Sequence, residues 1–428
     1  MRIFYGWWVL GGLFLMYAVS NGISTFTLPV FYSSFMDEYG WNQEEVTRPA
    51  AIKFLFASIY NLIVGFLLDR YAPRPIMGAG ALVMVFGLVL FLLMDNLWHF
   101  AFIYLLVAVG LSMCGLVPSM LTTSRWFTKY RGRAVGILLM ASSFGGMVLP
   151  KVVQVPLSNG DWRTAMMILA AIGLVGMFLP VLWPVRSRPS DKGLTPDGLP
   201  IEDSDQEDGT KQVGIAGGLP LAQVARMPIF YYLLIATGIL WFCITGVTQH
   251  HAVYLERDAG YDRSEVIDVI SVFFFCAIIG KFIFGWLSDH VNRLVVMLLA
   301  AANMGIGLLI LRLVDGDSMV LTYGYAVVYG IGFSGTFTMI QLTIAELFAG
   351  PTYGRILGVY VAVDTISASI GIFTLGTIRV RMGSYIPAID LMLGMVVVSL
   401  ICVYAIKRTV ERQRAELESL KKQAALAV

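Results

Sequence analysis

Long apolar runs separated by short polar breaks fill nearly the whole chain. A helix that crosses a bilayer needs roughly 20 mainly apolar residues, because only a helix satisfies its own backbone groups in lipid. That spacing predicts twelve spans, at about 6–36, 46–68, 75–94, 98–124, 133–157, 163–183, 228–254, 264–287, 294–314, 319–347, 355–378 and 385–406. The first run far exceeds the 7–15 apolar residues of a cleaved signal and reads as a retained span. Spans 1, 4, 7 and 10 carry more Gly, Ser, Thr, Gln and Tyr than their neighbours, the pattern of helices facing water or solute. The one long hydrophilic interruption, 186–226, includes "IEDSDQEDGTK" and cannot bury a core. It reads as a flexible linker between two six-helix halves, 1–185 and 227–406. The tail 407–428 mixes charges at helical spacing and reads as a solvated helix.

Composition agrees. Of the 428 residues, 57% are hydrophobic and 14% charged, against about 45–50% and 25% in globular chains. Most of the 30 Lys and Arg fall in the segments on the side of the two termini, so the positive-inside rule predicts both termini in the cytoplasm and a cytoplasmic (inner) membrane location. The net charge of +2 comes with no massed basic patch for nucleic acid. Cys114, Cys243, Cys276 and Cys402 lie singly in apolar runs and read as small hydrophobes.

Four landmarks repeat in order. "GWNQEEV" at Gly40 matches "GYDRSEV" at Gly260, and "GFLLDR" at Gly65 matches "GWLSDH" at Gly285. "WFTKYRGRAVG" with Arg133 matches "LFAGPTYGRILG" with Arg355, and "DWRTA" at Asp161 matches "GSYIPA" at Gly383. All recur at offsets of 220 to 222 positions, so the two halves are expected to share one fold. Two parallel six-span halves with a site between them at the midplane is a transporter architecture.

The stretch "GFLLDRYAPR", from Gly65 through Asp69 and Arg70 to Arg74, resembles the loop signature of the major facilitator superfamily, with Ala72 at a usual glycine. "RWFTKYRGRAVGI", "DWR", "FYGWW" and "EYGW" are similar to its monocarboxylate porter and oxalate–formate exchanger branch. The resemblance implies an all-α membrane protein of twelve transmembrane helices in two pseudo-symmetric six-helix bundles, the major facilitator fold. It also implies a latch in which Asp69 faces the start of span 11 near Arg355. Independently, Asp69 ends a helix whose dipole disfavours an acid and so needs compensation, from Arg70 or Arg74. Gly65, Asp69, Arg70, Arg74, Asp289, Arg133 and Arg355 are the expected gating residues.

Charges within spans are costly unless paired or hydrated, so each is a functional candidate. Lys281 lies eight residues inside Asp289 and Asp364 nine inside Arg355, about 12 and 14 Å by helix rise. At similar depth the two could pair, as a binding site or as a structural lock. Lys53 and Lys151 lie in the outer part of the first half and either reach the solute or snorkel outward. The four sum to two positive charges, which favours an anionic solute. Lys281 resembles the basic residue that monocarboxylate transporters keep in span 8, with Ala277 where they keep an aspartate. Oxalate exchangers carry a second basic residue in span 11, where Asp364 stands here. Together these suggest a monoanion held by Lys281, with Asp364 as proton acceptor. His250 and His251 end span 7, where imidazole suits a proton-entry role or an interfacial hydrogen bond. Gln341, Tyr325, Trp241, Tyr17 and Asn21 are cavity-lining candidates.

No nucleotide-binding "GxxxxGK[ST]", catalytic triad or metal spacing occurs, so no cofactor, metal or enzymatic reaction is expected. The expected function is secondary transport of a small organic anion, monocarboxylate-like and proton-coupled, by a monomer that rocks between two faces. The alternative is efflux of an amphiphilic compound, although the "GPxxGG" usual in drug–proton antiporters is absent from span 5.

Overall fold

A computed structural model describes residues 4–127, 130–198, 221–348 and 353–426. The described residues form helices and connecting turns, with no strand. In chain order the long helices are α1 (Tyr5–Tyr39), α2 (Gln43–Arg70), α3 (Pro73–Leu93), α4 (Leu97–Trp126), α5 (Arg131–Val152) and α6 (Trp162–Leu182). The second half supplies α7 (Pro228–Asp258), α8 (Arg263–His290), α9 (Arg293–Arg312), α10 (Met319–Phe348), α11 (Tyr353–Met382) and α12 (Ile386–Leu426). Eleven of them are long and apolar enough to cross a membrane. The one outside that count is α2, a 28-residue helix about 42 Å long at 1.5 Å per residue. Its length and its place in the bundle match the second expected span.

The repeat is visible in the packing. Within the first half α1 packs on α5, α2 and α3 on α4, and α3 on α6; within the second α7 packs on α11, α8 and α9 on α10, and α9 on α12. Adding six to each helix number converts one set into the other. Across the halves α2 meets α11 and α5 meets α8, two contacts related by the same operation.

The repeated "GWNQEEV" and "GYDRSEV" have a physical cause. Gly40 and Gly260 end α1 and α7 at φ +68° and +79°, a left-handed conformation that favours glycine. Asn42 and Asp262 then begin the next helix with capping boxes completed by Glu45 and Glu265. The "DWR" motif closes the first half in a similar way: Asp161 Oδ1 caps α6 by accepting the Thr164 N–H at 3.0 Å, while Trp162 Nε1 and Arg163 both donate to Glu38 at the end of α1.

The first part of the linker is packed rather than free. Trp126 Nε1 donates to Arg186 O at 2.9 Å, and Pro189–Lys192 forms one 3-10 turn. The expectation for the acidic stretch falls on 199–220, outside the described residues.

The termini, the turn after α2 and the linker lie at one end of the bundle, here the termini face. The turns after α1 and α7 lie at the other, the far face. At the far face α2 and α11 touch: Ser369 Oγ donates to Ala51 O at 2.8 Å, and a Cβ added to Gly376 would stand 2.7 Å from Thr47 Oγ1. At the termini face a Cβ on Gly65 or Gly358 of this same pair would meet no described atom within 4 Å. Helices α5 and α8 repeat the contrast, with Gly146 against Phe274 at 2.8 Å and Gly136 and Gly285 open. Among the described residues the interface between the halves is therefore wedge-shaped, close at the far face and open around Gly65, Gly358, Gly136 and Gly285 at the termini face.

Candidate functional site

Halfway along the wedge, side chains from both halves converge. Lys281 on α8 reaches across the interface, its Nζ donating to Leu139 O at 2.8 Å and Ser142 Oγ at 3.0 Å, both on α5. Ser142 Oγ itself donates to Leu139 O at 3.1 Å, and the buried Tyr17 of α1 lies beside Ser142. Asn21, one turn beyond Tyr17, accepts from Thr25 Oγ1 at 3.1 Å. From the second half, the Phe337 ring on α10 lies 5.5 Å from Lys281 Nζ and meets Trp241 of α7 edge-on at 5.7 Å. Gln341, half-buried, stands one turn after Phe337. This cluster holds one ammonium group, the hydroxyls of Ser142 and Tyr17 and the rings of Tyr17, Phe337 and Trp241, and no carboxylate reaches the amine among the described residues.

Asp364 does not pair with Lys281. It points from α11 toward α7, 4% exposed and close to Thr237, whose Oγ1 donates to Leu234 O at 3.4 Å, and its Oδ1 has no partner. Thr237 lies one turn before Trp241, whose Nε1 is also buried without a partner. The reason is azimuth: α8 packs on α5 and α10, whereas α11 packs on α7 and α2, so equal depth does not bring the two charges face to face.

The other lysines divide. Lys53 does not snorkel; it is 2% exposed and donates to Ser24 O at 2.6 Å and Ser24 Oγ at 3.3 Å. Ser24 belongs to a π-helical stretch of α1, Gly22–Thr27, whose widened turn frees a backbone carbonyl for such a donor. Lys151 is not in the site: it forms an ion pair with Asp268 of α8 toward the far face.

His251 and Tyr325 leave the expected cavity as well. Tyr325 is wholly buried within the second half, stacked near Phe273 and Tyr329, with its hydroxyl 3.0 Å from His251 Nδ1. His250 instead joins the halves. Its Nε2 lies 2.9 Å from Ile372 O, which can only accept, so Nδ1 receives the Tyr385 hydroxyl at 2.7 Å, with Gln43 of α2 at 3.4 Å.

Of the gating residues, Arg74 is committed elsewhere than expected. Its Nε and Nη2 donate to Val181 O and Leu182 O at 2.7 and 2.9 Å, capping the C-terminal end of α6. Arg70, Arg133 and Asp289 are exposed, Arg133 lying over the Tyr130 ring at 5.8 Å. The side chains of Asp69 and Arg355 lie outside the described residues.

Sequence reasoning missed the far-face seal. Arg257 Nη2 donates to Ser33 O at 3.1 Å and Asp37 Oδ1 at 2.5 Å. Arg263 Nη1 reaches Ser34 Oγ at 2.7 Å and Leu157 O at 3.0 Å. Gln249 donates to Thr25 O at 2.7 Å. One signal was available: Asp37 and Arg257 stand 220 positions apart, the offset of the repeat, so they are equivalent residues that meet on the axis relating the halves.

This fold and this central cluster define a two-bundle membrane transporter. The sequence matches the family profile described as Major Facilitator Superfamily over residues 13–372 and 252–426. The chain belongs to that family; it is a multi-pass integral membrane transporter and not an enzyme. It is 23% identical over 380 residues to the uncharacterized MFS-type transporter YcxA of Bacillus subtilis, covering 86% of this chain and 87% of that one. Monocarboxylate transporter 13 of Rattus norvegicus is 24% identical, with 89% and 84% covered. The fujikurins efflux protein of Gibberella fujikuroi is 24% identical, with 77% and 66% covered. Among solved structures, a bacterial homolog of the human lysosomal transporter Spinster superposes with a TM-score of 0.71 at 16% identity, covering 95% of this chain and 97% of that one.

Proposed function

We propose that the protein moves a small, monocarboxylate-like organic anion, coupled to protons, by rocking its two halves about the central cluster. The observation that carries this reading is Lys281: an ammonium group where the halves meet, with hydroxyl, carbonyl and ring neighbours and, among the described residues, no carboxylate paired with it to compete with an incoming anion. The solute carboxylate would take the place of the Leu139 and Ser142 acceptors, with Tyr17, Trp241 and Gln341 around its body. Asp364 is the proton acceptor in this scheme. A buried carboxylate oxygen without a partner is stabilised when a proton neutralises it. The termini face is the cytoplasmic side of the inner membrane, and the protein acts as a monomer.

The test is uptake into proteoliposomes across a panel of carboxylates, with and without an inward proton gradient. At least one monocarboxylate is expected to move faster with the gradient. Lys281→Gln is expected to abolish anion binding, and Asp364→Asn to retain exchange while losing proton dependence. If no carboxylate binds or moves, the reading fails. A second reading, efflux of an amphiphile, draws on the aromatic wall of Trp241 and Phe337 and on the similarity to an efflux protein; extrusion of a lipophilic dye that survives Lys281→Gln would favour it.

A further inference from the structure

Away from the central cluster, a cleft of about 420 Å³ opens at the termini face between the end of α4 and the first residues of the linker. That volume lies within the usual 300–1,000 Å³ of small-ligand sites. Arg125, in the last turn of α4, faces Arg188 across it, and Ser190 and Thr195 add hydroxyls to the wall. Arg188 and the carboxylate of Asp191 both stand close enough to Arg125 for their charges to be felt there. Asp191 also accepts the Arg188 backbone N–H at Oδ2 at 3.0 Å. Among the described residues neither arginine forms an ion pair.

The walls are held in place. Trp126, next to Arg125, fixes Arg186 O; Arg186 donates to Val185 O at 3.0 Å; Lys192 sits over the Tyr5 ring at 5.2 Å. Two guanidinium groups lining one cleft, with the single carboxylate of Asp191 near them, leave a positive charge for a further anion to balance, and paired guanidiniums with a hydroxyl suit the oxygens of a phosphoryl group. The depth also fits. Trp8 and Trp183, both exposed, pack at 6.0 Å at this end of the bundle, as aromatic residues do at the level of lipid headgroups.

We propose that this cleft binds a phosphoryl anion between Arg125 and Arg188, pinning the linker to α4. The group comes from an anionic phospholipid headgroup or from a soluble phosphate. The site is built from the first half and the linker alone and does not depend on which solute the central cluster carries.

The full-length protein, purified in detergent, is titrated with inorganic phosphate in one arm. In the other it is offered phosphatidylglycerol or phosphatidylcholine, and bound lipid is counted by native mass spectrometry. Binding of phosphatidylglycerol in preference to phosphatidylcholine, without phosphate binding, assigns a lipid headgroup; saturable phosphate binding assigns a soluble ligand. In either case Arg125→Gln/Arg188→Gln is expected to weaken binding at least about tenfold, the effect of losing a charge-assisted contact. Arg188 is exposed, so Arg188→Gln alone tests the site if the double variant misfolds, and Arg188→Lys should restore part of the loss. Arg226→Gln, an exposed basic change at the far end of the linker, should alter nothing. Absence of binding in both arms overturns the proposal. So does binding that Arg188→Gln leaves intact.

Discussion

Helices α2 and α11 touch at the far face, where Ser369 bonds Ala51, yet toward the termini face the same two helices leave Gly65 and Gly358 without a described neighbour within 4 Å. Helices α5 and α8 do the same. Because both symmetry-related pairs diverge in one direction, the difference is a tilt of two intact bundles and not a bend within either. The seals differ in kind too. The far face is closed by polar groups of both halves, Arg257 with Asp37, Lys151 with Asp268, and Gln249 with Thr25 O. Exposed ion pairs of this type contribute little each, about 0–1 kcal/mol, so the far face can reopen. A polar seal of small terms suits a gate better than a buried apolar one would.

Four changes probe the contrast, each read as labelling of a cysteine placed at Asn21 by a membrane-impermeant thiol reagent added from one side or the other. The largest effect is expected from Gly376→Val. Its side chain would press on Thr47 where even a Cβ stands 2.7 Å from Oγ1, and overpacking of about 1–3 kcal/mol should shift labelling toward the far face by about tenfold or more. Unchanged labelling would mean that the far-face contact between α2 and α11 does not hold the wedge shut. Next, Arg257→Gln combined with Lys151→Gln should raise far-face labelling by about fivefold if the two ion pairs act independently. Arg257→Gln alone should raise it about twofold to threefold, and 1 M salt should reproduce part of that change in the wild type, since both pairs are half-exposed. The smallest labelling effect belongs to Gly65→Ala. Its new methyl group meets open space in this conformation, so labelling should stay the same while uptake falls, because the opposite closure has to bring α2 and α11 together there. An uptake rate equal to wild type would show that Gly65 is not a contact of the other state.

Much of the fold was legible in the sequence for one reason: in lipid the backbone must be satisfied within each helix, so spans leave long apolar runs of predictable length. The repeat was legible because helix ends are chemically demanding, and Gly40 with Asn42 and Glu45 met that demand as Gly260 did with Asp262 and Glu265. Depth was legible as well, and it led to Lys281. Direction around the helix was not. At about 100° per residue, a charge in a span can face the partner half, its own bundle or the lipid, and span sequences apolar on all sides give little azimuthal signal. That is why Lys151 and Lys53, which looked alike in the sequence, end in different places, in the far-face seal and against the π-helical turn of α1. The same lack separated Lys281 from Asp364 and buried His251 and Tyr325 inside one bundle. Arg74 was misjudged for another reason: its carbonyl partners at Val181 and Leu182 are more than a hundred residues away, and nothing local announces them.

The contact between Asp37 and Arg257 carries a consequence for how such a molecule could arise. Equivalent positions of two related halves touch only on the axis between them. Were the halves identical, as in a dimer of a single six-helix unit, each residue on that axis would face its own copy, and an acid there would meet an acid. Joining the halves into one chain lets the two copies of a position diverge, and here they have become an anion and a cation. An ion pair between the two copies of one position is thus available to the fused protein and denied to any symmetric ancestor.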